Sequence, residues 1–503
     1  MSRIGLAGCL SLILSSCVLH APYRQPCMEM PQEWRTPSDD TSTTINARWW
    51  EEMKDPVLDA LIVEALENNK DLFAALARIA EFRARLGIVR SQFYPQINGA
   101  AMASRQRTSS ALLGFGGSNG GSSTSSSAGS GQQPILPDLA SLFPTPSPYS
   151  NTYSLILDAA YELDLWGRVY SASEAALADL LGEVEARRAL ILSIVSSVAE
   201  GYIQLRQYDQ QLLISKQTTE SRKQSYDLAV LRFEGGLTSE LEVKQAASEV
   251  DEAAAEVIRL EVLIPLQENL ISILVGHSPR DIQRGLAIDQ WPEPLQVPAG
   301  LPSDLLEQRP DILQAEQALI AANARIGEAR AEYFPNISLT GNYGSESLEL
   351  HQLFTSPART WQYAANLLQP IFTGGRISST VDLAKAQKAF AYYNYQQMVL
   401  NAFKEVDDAL VSHQKSKELV IVQKDSVAVL KDYLRLAQLQ YDNGQTDYLS
   451  VLDAERKLFA AQLALAQAQA DVFLTLVNLY KALGGGWVID AENLSKEVCA
   501  EDS

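Results

Sequence analysis

Little in this chain supplies reactive chemistry. Its 503 residues hold 4 cysteines and 4 histidines. His20, His277, His351 and His413 are scattered and show none of the spacing of a metal site. Gly484-Gly485-Gly486 lacks the following Lys-Ser/Thr of a phosphate-binding loop. Gly116-Gly117-Ser118-Asn119-Gly120 fits the nucleophile-elbow pattern only by letters. It lies in a Gly/Ser tract with no strand before it and no helix after it. Neither catalysis nor a cofactor is expected. Basic residues are also short: 41 Lys+Arg against 61 Asp+Glu give a net charge of −20. That excludes a nucleic-acid partner, because phosphate neutralisation needs a surplus of cations. In a channel the same balance biases passage toward cations. After the N-terminus no run reaches the roughly 18 apolar residues of a transmembrane helix. The longest, residues 189–199, is short and broken by serines. A membrane crossing, if there is one, must use strands.

What the chain does have is a duplication organised around residues 439–459, LQYDNGQTDYLSVLDAERKLF. This reads as a helix end, a tight turn at Asn443-Gly444 and a new helix carrying Leu449, Leu452, Arg456 and Phe459 at helical spacing. Residues 231–243, LRFEGGLTSELEV, repeat it around Gly235-Gly236 at an offset of 208 (444 − 236). Asn443 and Gly444 are expected to accept positive φ. A second anchor pairs RARLGIVRSQFYPQI (83–97) with NARIGEARAEYFPNI (323–337) at an offset of 240 (335 − 95). The difference of 32 between the offsets places an insertion in the Gly/Ser-rich loop of the first half.

Each half reads as helix, strand, loop, strand, long helix, turn, long helix. The first repeat spans 46–275, with a β-hairpin over 95–165 and long helices at 169–233 and 237–275; Pro265 is the place for a kink. A Pro-rich linker covers 276–303. The second repeat spans 304–483, with a hairpin over 335–372 and helices at 376–441 and 446–483; residues 484–503 form a tail. Two apolar stripes precede the first hairpin: Leu58, Leu61, Ile62, Ala65 and Leu66, then Leu72, Ala75, Leu76 and Ile79. A 65-residue helix such as 169–233 would reach about 100 Å, so it reads as a coiled-coil-like rod. Tyr153, Leu155, Leu157, Ala159, Tyr161 and Leu163 alternate with Ser154, Ile156, Asp158, Ala160, Glu162 and Asp164. A sandwich strand pair or an outer-membrane barrel hairpin would carry this alternation equally well. Four membrane strands cannot close a barrel alone. Two copies give about eight strands, which side chains fill, so three copies are expected for a conduit.

At the N-terminus Arg3 and a short apolar run lead to Leu14-Ser15-Ser16-Cys17. This resembles the bacterial lipobox, which implies a signal peptide over 1–16, a lipid on Cys17 and an extended tether over 17–45. Val18 after the cysteine is compatible with outer-membrane sorting. Cys27 and Cys499 remain, one near each mature end. They could pair in an oxidising periplasm or stand as two small buried thiols.

WWEEMKDPVLDALIVEAL (49–66), LPSDLLEQRPDILQAEQALIAANARIGEARAEYFPNISL (301–339) and VNLYKALGGGW (477–487) resemble the TolC/OprM outer membrane factors. With the lipobox, they resemble the NodT-type lipoprotein branch. The resemblance covers nearly the whole mature chain. It implies an α+β membrane protein: a homotrimer forming a twelve-stranded outer-membrane β-barrel, a long periplasmic α-helical barrel and a mixed equatorial domain. It also implies the exit duct of a tripartite pump, working with a periplasmic adaptor and an inner-membrane RND-type transporter. The family's periplasmic gate falls on Leu449, Asp453 and Arg456, with Tyr441 at the turn. Thr446 and Ser450 stand where TolC itself has an arginine and a first aspartate. A leucine ring with an Asp453–Arg456 salt bridge is therefore expected, rather than a double aspartate ring. A duct for ABC-driven protein secretion and a structural surface lipoprotein with a coiled-coil rod are the other functions these features allow.

Overall fold

The structure, a computed structural model, describes residues 22–26, 28, 34, 35, 48–107, 149–292 and 308–484. The signal 1–16, Cys17, Cys27, Cys499, the Gly/Ser loop, residues 293–303 and the tail from 485 lie outside the described residues.

Helices α1 (Pro56–Asn68) and α2 (Lys70–Ser91) precede strands β1 (Gln96–Arg107) and β2 (Tyr149–Glu162). The long helices α3 (Arg168–Glu234) and α4 (Glu240–Leu274) follow. The second repeat supplies α5 (Pro310–Ala331), β3 (Asn336–Ser347), β4 (Arg359–Leu368), α6 (Arg376–Asp442) and α7 (Tyr448–Ala482). The duplication persists in the lengths. Helices α3 and α6 both have 67 residues, and α4 and α7 both have 35. Helix α4 continues through Pro265. Strand β4 ends at Leu368, short of the expected hairpin limit at 372: Pro370 has no N–H for the ladder, and Ile371 and Phe372 stand about nine-tenths exposed.

The compact units do not follow the repeats. One comprises Gly87–Ala172 with Gly327–Val381; the other comprises the described parts of His20–Leu86, Ser173–Ile326 and Asp382–Ser503. Each unit therefore draws on both halves of the chain.

The first unit holds one antiparallel sheet in the order β1-β2-β3-β4. Its register sorts the side chains. Ala101 pairs with Leu155, Leu157 with Tyr343 and Tyr343 with Trp361; Ile337 pairs with Leu367. Directly paired residues share a face, so Ile97, Leu155, Leu157, Leu339, Tyr343, Trp361, Tyr363 and Leu367 form one apolar face. Asn98, Ser154, Asp158, Asn342, Thr340, Gln362 and Asn366 form the polar one. The apolar residues are exposed in the single chain, Trp361 by 66% and Tyr363 by 79%. An exposed apolar face opposite a polar one suits lipid outside and water inside, which favours the barrel reading over the sandwich. Strands β2 and β3 come so close at Gly344 that a Cβ there would sit 2.2 Å from the Leu155 carbonyl oxygen.

The second unit contains the main core. The α1 stripe is buried as expected, but in α2 only Leu72 and Leu86 are; Leu76 is exposed. The supposed linker is partly core. Ile282, Ile288 and Trp291 are buried, and Trp291 stands edge-on to Phe473 at 4.8 Å. The described part of the tether is likewise not free. The Tyr23 hydroxyl donates to Glu316 (2.9 Å), and Trp34 packs edge-on against Phe403. Helix α7 is apolar enough by composition to cross a membrane, yet Val472, Leu476, Val477 and Tyr480 lie in this core.

The three sequence motifs meet here. Trp49 stacks on Tyr480 at 5.1 Å. Buried Asp55 caps α1 through Val57 N and accepts from Tyr202 Oη and Leu286 N. Arg309 donates to Ala482 O at the end of α7 and to Asp311 and Glu405. Packing and capping are what these motif residues do here.

Replacing Gly344 by valine must push β2 from β3. Heat-stable trimers of Gly344→Val on semi-native gels are expected to fall at least severalfold; wild-type trimer yield would remove that role for the glycine.

Candidate functional site: the helical hairpin tips

Both long hairpins turn by the same backbone chemistry. At the first tip, Gly236 N donates to Phe233 O (2.9 Å) and Leu237 N to Arg232 O (2.8 Å). At the second, Gly444 N donates to Tyr441 O (2.9 Å) and Gln445 N to Gln440 O (2.8 Å). These are paired Schellman caps, with Gly236 at φ 71° and Gly444 at φ 70°. Only the second residue of each turn pair takes positive φ. Gly235 and Asn443 do not, because the motif needs a single left-handed residue; Asn443 instead donates its side-chain N–H to Leu439 O at 2.7 Å. Asp447 then caps α7 through Ser450 N.

Just beyond the turns the hairpins pack through Ala229, Ala246, Ala437, Val451, Leu452 and Ala454, with Tyr448 among them. Small residues here let the helices approach closely. Leu449 faces away from this cluster and is 54% exposed. Tyr441 is half-buried: its hydroxyl donates to Glu242 of α4 at 2.9 Å, and the Arg232 guanidinium lies 5.1 Å from its ring centre. Burial, then the Glu242 carboxylate, holds the Tyr441 phenol above its ordinary value.

The expected Asp453–Arg456 pair is not formed in the chain. Asp453 accepts from Lys457 Nζ at 2.7 Å and from Tyr433 Oη at 3.1 Å. The Lys457 hydrogen bond is the main reason its carboxyl lies below the usual range, and Arg456 adds a weaker through-space pull. Arg456 instead donates Nε to Glu249 Oε1 of α4 at 2.5 Å. The reason is geometric. On α7 both i+3 and i+4 lie beside Asp453; Lys457 takes that carboxylate, and the buried Glu249 of the neighbouring hairpin stands within reach of Arg456.

Glu249 is 1% exposed and lies beside an equally buried Arg222 of α3. Arg222 Nη2 stands 3.1 Å from Glu249 Oε2, and Nη1 donates to the Glu249 carbonyl at 2.8 Å. The Arg222 guanidinium covers the Phe459 ring of α7. Breaking such a buried pair by removing one partner typically costs about 3–5 kcal/mol. Nearby, burial raises the Glu455 carboxyl, with Arg222 opposing. The sequence reading missed Glu249, Arg222 and Glu242. The available signal was charged residues set among the alanines of two helices already read as packed rods.

Among the described residues no cluster of His, Cys, Asp or Glu could hold a metal ion. The arrangement offers two apolar-packed hairpins cross-linked by a few polar bonds near their turns, with leucines standing free.

The profile of the family described as outer membrane efflux protein matches residues 61–276 and 301–485. The chain belongs to this family. It is 34% identical to the probable efflux pump outer membrane protein TtgC of Pseudomonas putida, over 98% of this chain and 97% of that protein. It is 32% identical to the cation efflux system protein CusC of Escherichia coli, over 96% and 98%. Among solved structures it is similar to the open-state MtrE outer membrane channel of Neisseria gonorrhoeae: TM-score 0.79, 31% identity, 94% of this chain and 99% of that one. Membership bears out the TolC/OprM resemblance. The fold is that of the trimeric outer membrane factors, with four strands per chain in a twelve-stranded barrel and long helices in a helical barrel. The protein is an outer membrane channel reaching into the periplasm.

Proposed function

We propose that this chain, as a trimer, is the passive exit duct of a tripartite efflux pump, closed at rest by the tips of its second hairpins. The observation that carries the duct is the sheet, with an apolar face, a polar face and, among the described residues, two unpaired edges. A periplasmic adaptor and an RND-type transporter complete the pump, and the transporter chooses the cargo. TtgC and CusC, named for efflux pumps of different scope, are about equally similar to this chain, which supports selection outside the duct. Tagged trimers cross-linked in cells are expected to recover an RND-type transporter. Recovery of an ABC-type transporter would instead support the protein-secretion reading.

Threefold symmetry brings three copies of the α7 start around one axis. Exposed Leu449 then forms an apolar constriction that tends to dewet, with Asp453 rings beside it. Arg456 and Tyr441 hold α7 and α6 against α4. Leu449→Ala with Arg456→Ala is expected to raise single-channel conductance and sensitivity to large antibiotics such as vancomycin. Asp227→Ala, on α3 before the first turn, is expected to do neither. Unchanged conductance in a fully assembled double variant would move the gate elsewhere.

The lipobox-like Leu14-Ser15-Ser16-Cys17 supports a lipid on Cys17 as a second attachment to the outer membrane. Palmitate labelling is expected in wild type and absent in Cys17→Ser; equal labelling of both would remove the anchor.

A further inference from the structure

Near the tips, three side-chain bonds to a carboxylate cross from one hairpin to the other among the described residues. Arg232 reaches Asp442 at 3.3 Å, Tyr441 reaches Glu242 at 2.9 Å and Arg456 reaches Glu249 at 2.5 Å. They differ in setting. The Asp442 side chain is 54% exposed and Glu242 is half-buried, so water screens both. Glu249 alone is a fully buried carboxylate. It is also the only one of the three that serves two guanidinium groups, Arg222 within its own hairpin and Arg456 from the other.

We propose that Glu249 is the positioning residue that keeps α7 seated, and that Arg456 sets closure through Glu249 rather than through Asp453. The proposal rests on reading the second hairpin tip as the gate. Its physical content is an asymmetric junction. Arg222 is held on the first hairpin by the Glu249 carbonyl as well as its carboxylate, so it stays when the hairpins part. Arg456 has a side chain half exposed to water, so it can leave and be solvated. Opening then breaks one ion pair without stranding a buried charge, since Arg222 still neutralises Glu249. Closing restores a charge-assisted bond to a partner already fixed in place. The Asp453–Lys457 pair lies wholly on α7 and travels with it, so it contributes nothing to the difference between the two positions.

The test is a double-mutant cycle on single-channel conductance in planar bilayers, with trimer assembly checked on semi-native gels. Glu249→Gln and Arg456→Gln are each expected to raise conductance about threefold or more, and the double variant no further than the larger single effect. Arg456→Lys, which keeps the charge, is expected to stay near wild type, a rescue that simple loss of packing would not give. A conductance rise in Arg456→Gln but not in assembled Glu249→Gln, or additive effects of the two, overturns the proposal and leaves the gate reading intact. No rise in Glu249→Gln, Arg456→Gln or Leu449→Ala sinks both together. Should Glu249→Gln fail to assemble, Glu249→Asp, which keeps the charge but draws it back by one methylene, decides: a conductance rise non-additive with that of Arg456→Gln supports the proposal, and conductance near wild type or an additive rise overturns it.

Discussion

An unpaired strand edge cannot face hydrocarbon, because its N–H and C=O groups have no water to turn to. The rest of the architecture follows from that constraint. The described residues of one chain supply four strands, and among them β1 and β4 each leave an edge unpaired. Only neighbouring copies can supply those bonds. The register that pairs Leu157 with Tyr343 and Tyr343 with Trp361 keeps one face apolar across all four strands. A slip of one residue would put Asp158 and Asn342 into lipid. Edge closure and face sorting are thus two conditions on one sheet, and the trimer meets both.

The helical part obeys a different logic. Duplication gave two hairpins of equal length with the same glycine cap, so their backbones match to the residue. Their polar residues do not match. The first hairpin carries the carboxylates Glu242 and Glu249, while the second carries Tyr441 and Arg456. Two identical hairpins would present like charges to each other. Divergence after duplication made them complementary, and it did so where alanines bring the helices close. Compartment lipid and pore thus impose backbone rules at one place in the chain and side-chain rules at another.

Much of this is legible without coordinates. Absence of proline over some 65 residues, a glycine at each turn and period-two alternation after Pro95 and Pro335 are local signals, and local chemistry acts on them directly. The strand and helix order followed from those, and the open sheet implied several copies. Where local reading strayed, a long-range contact was responsible. Residues 276–292 look like linker because Pro and Gly punctuate them, but Trp291 is drawn into the core against Phe473. Tyr23 and Trp34 look like tether because their neighbours are polar, yet they pack on α5 and α6.

The sequence by itself determined the elements, their duplication, the membrane class and the residues that could stand at the gate. Helical period, turn chemistry and strand alternation are properties of neighbours in the chain. Only the tertiary structure decided who bonds to whom. Asp453 and Arg456, three apart on one helix, invite a pairing on paper. In space Lys457 occupies Asp453, and the partner of Arg456 is a carboxylate 207 residues earlier. The strength of an ion pair depends on burial and approach. Glu249 has both because α3 of its own repeat and α7 of the other close on it, which no local pattern records.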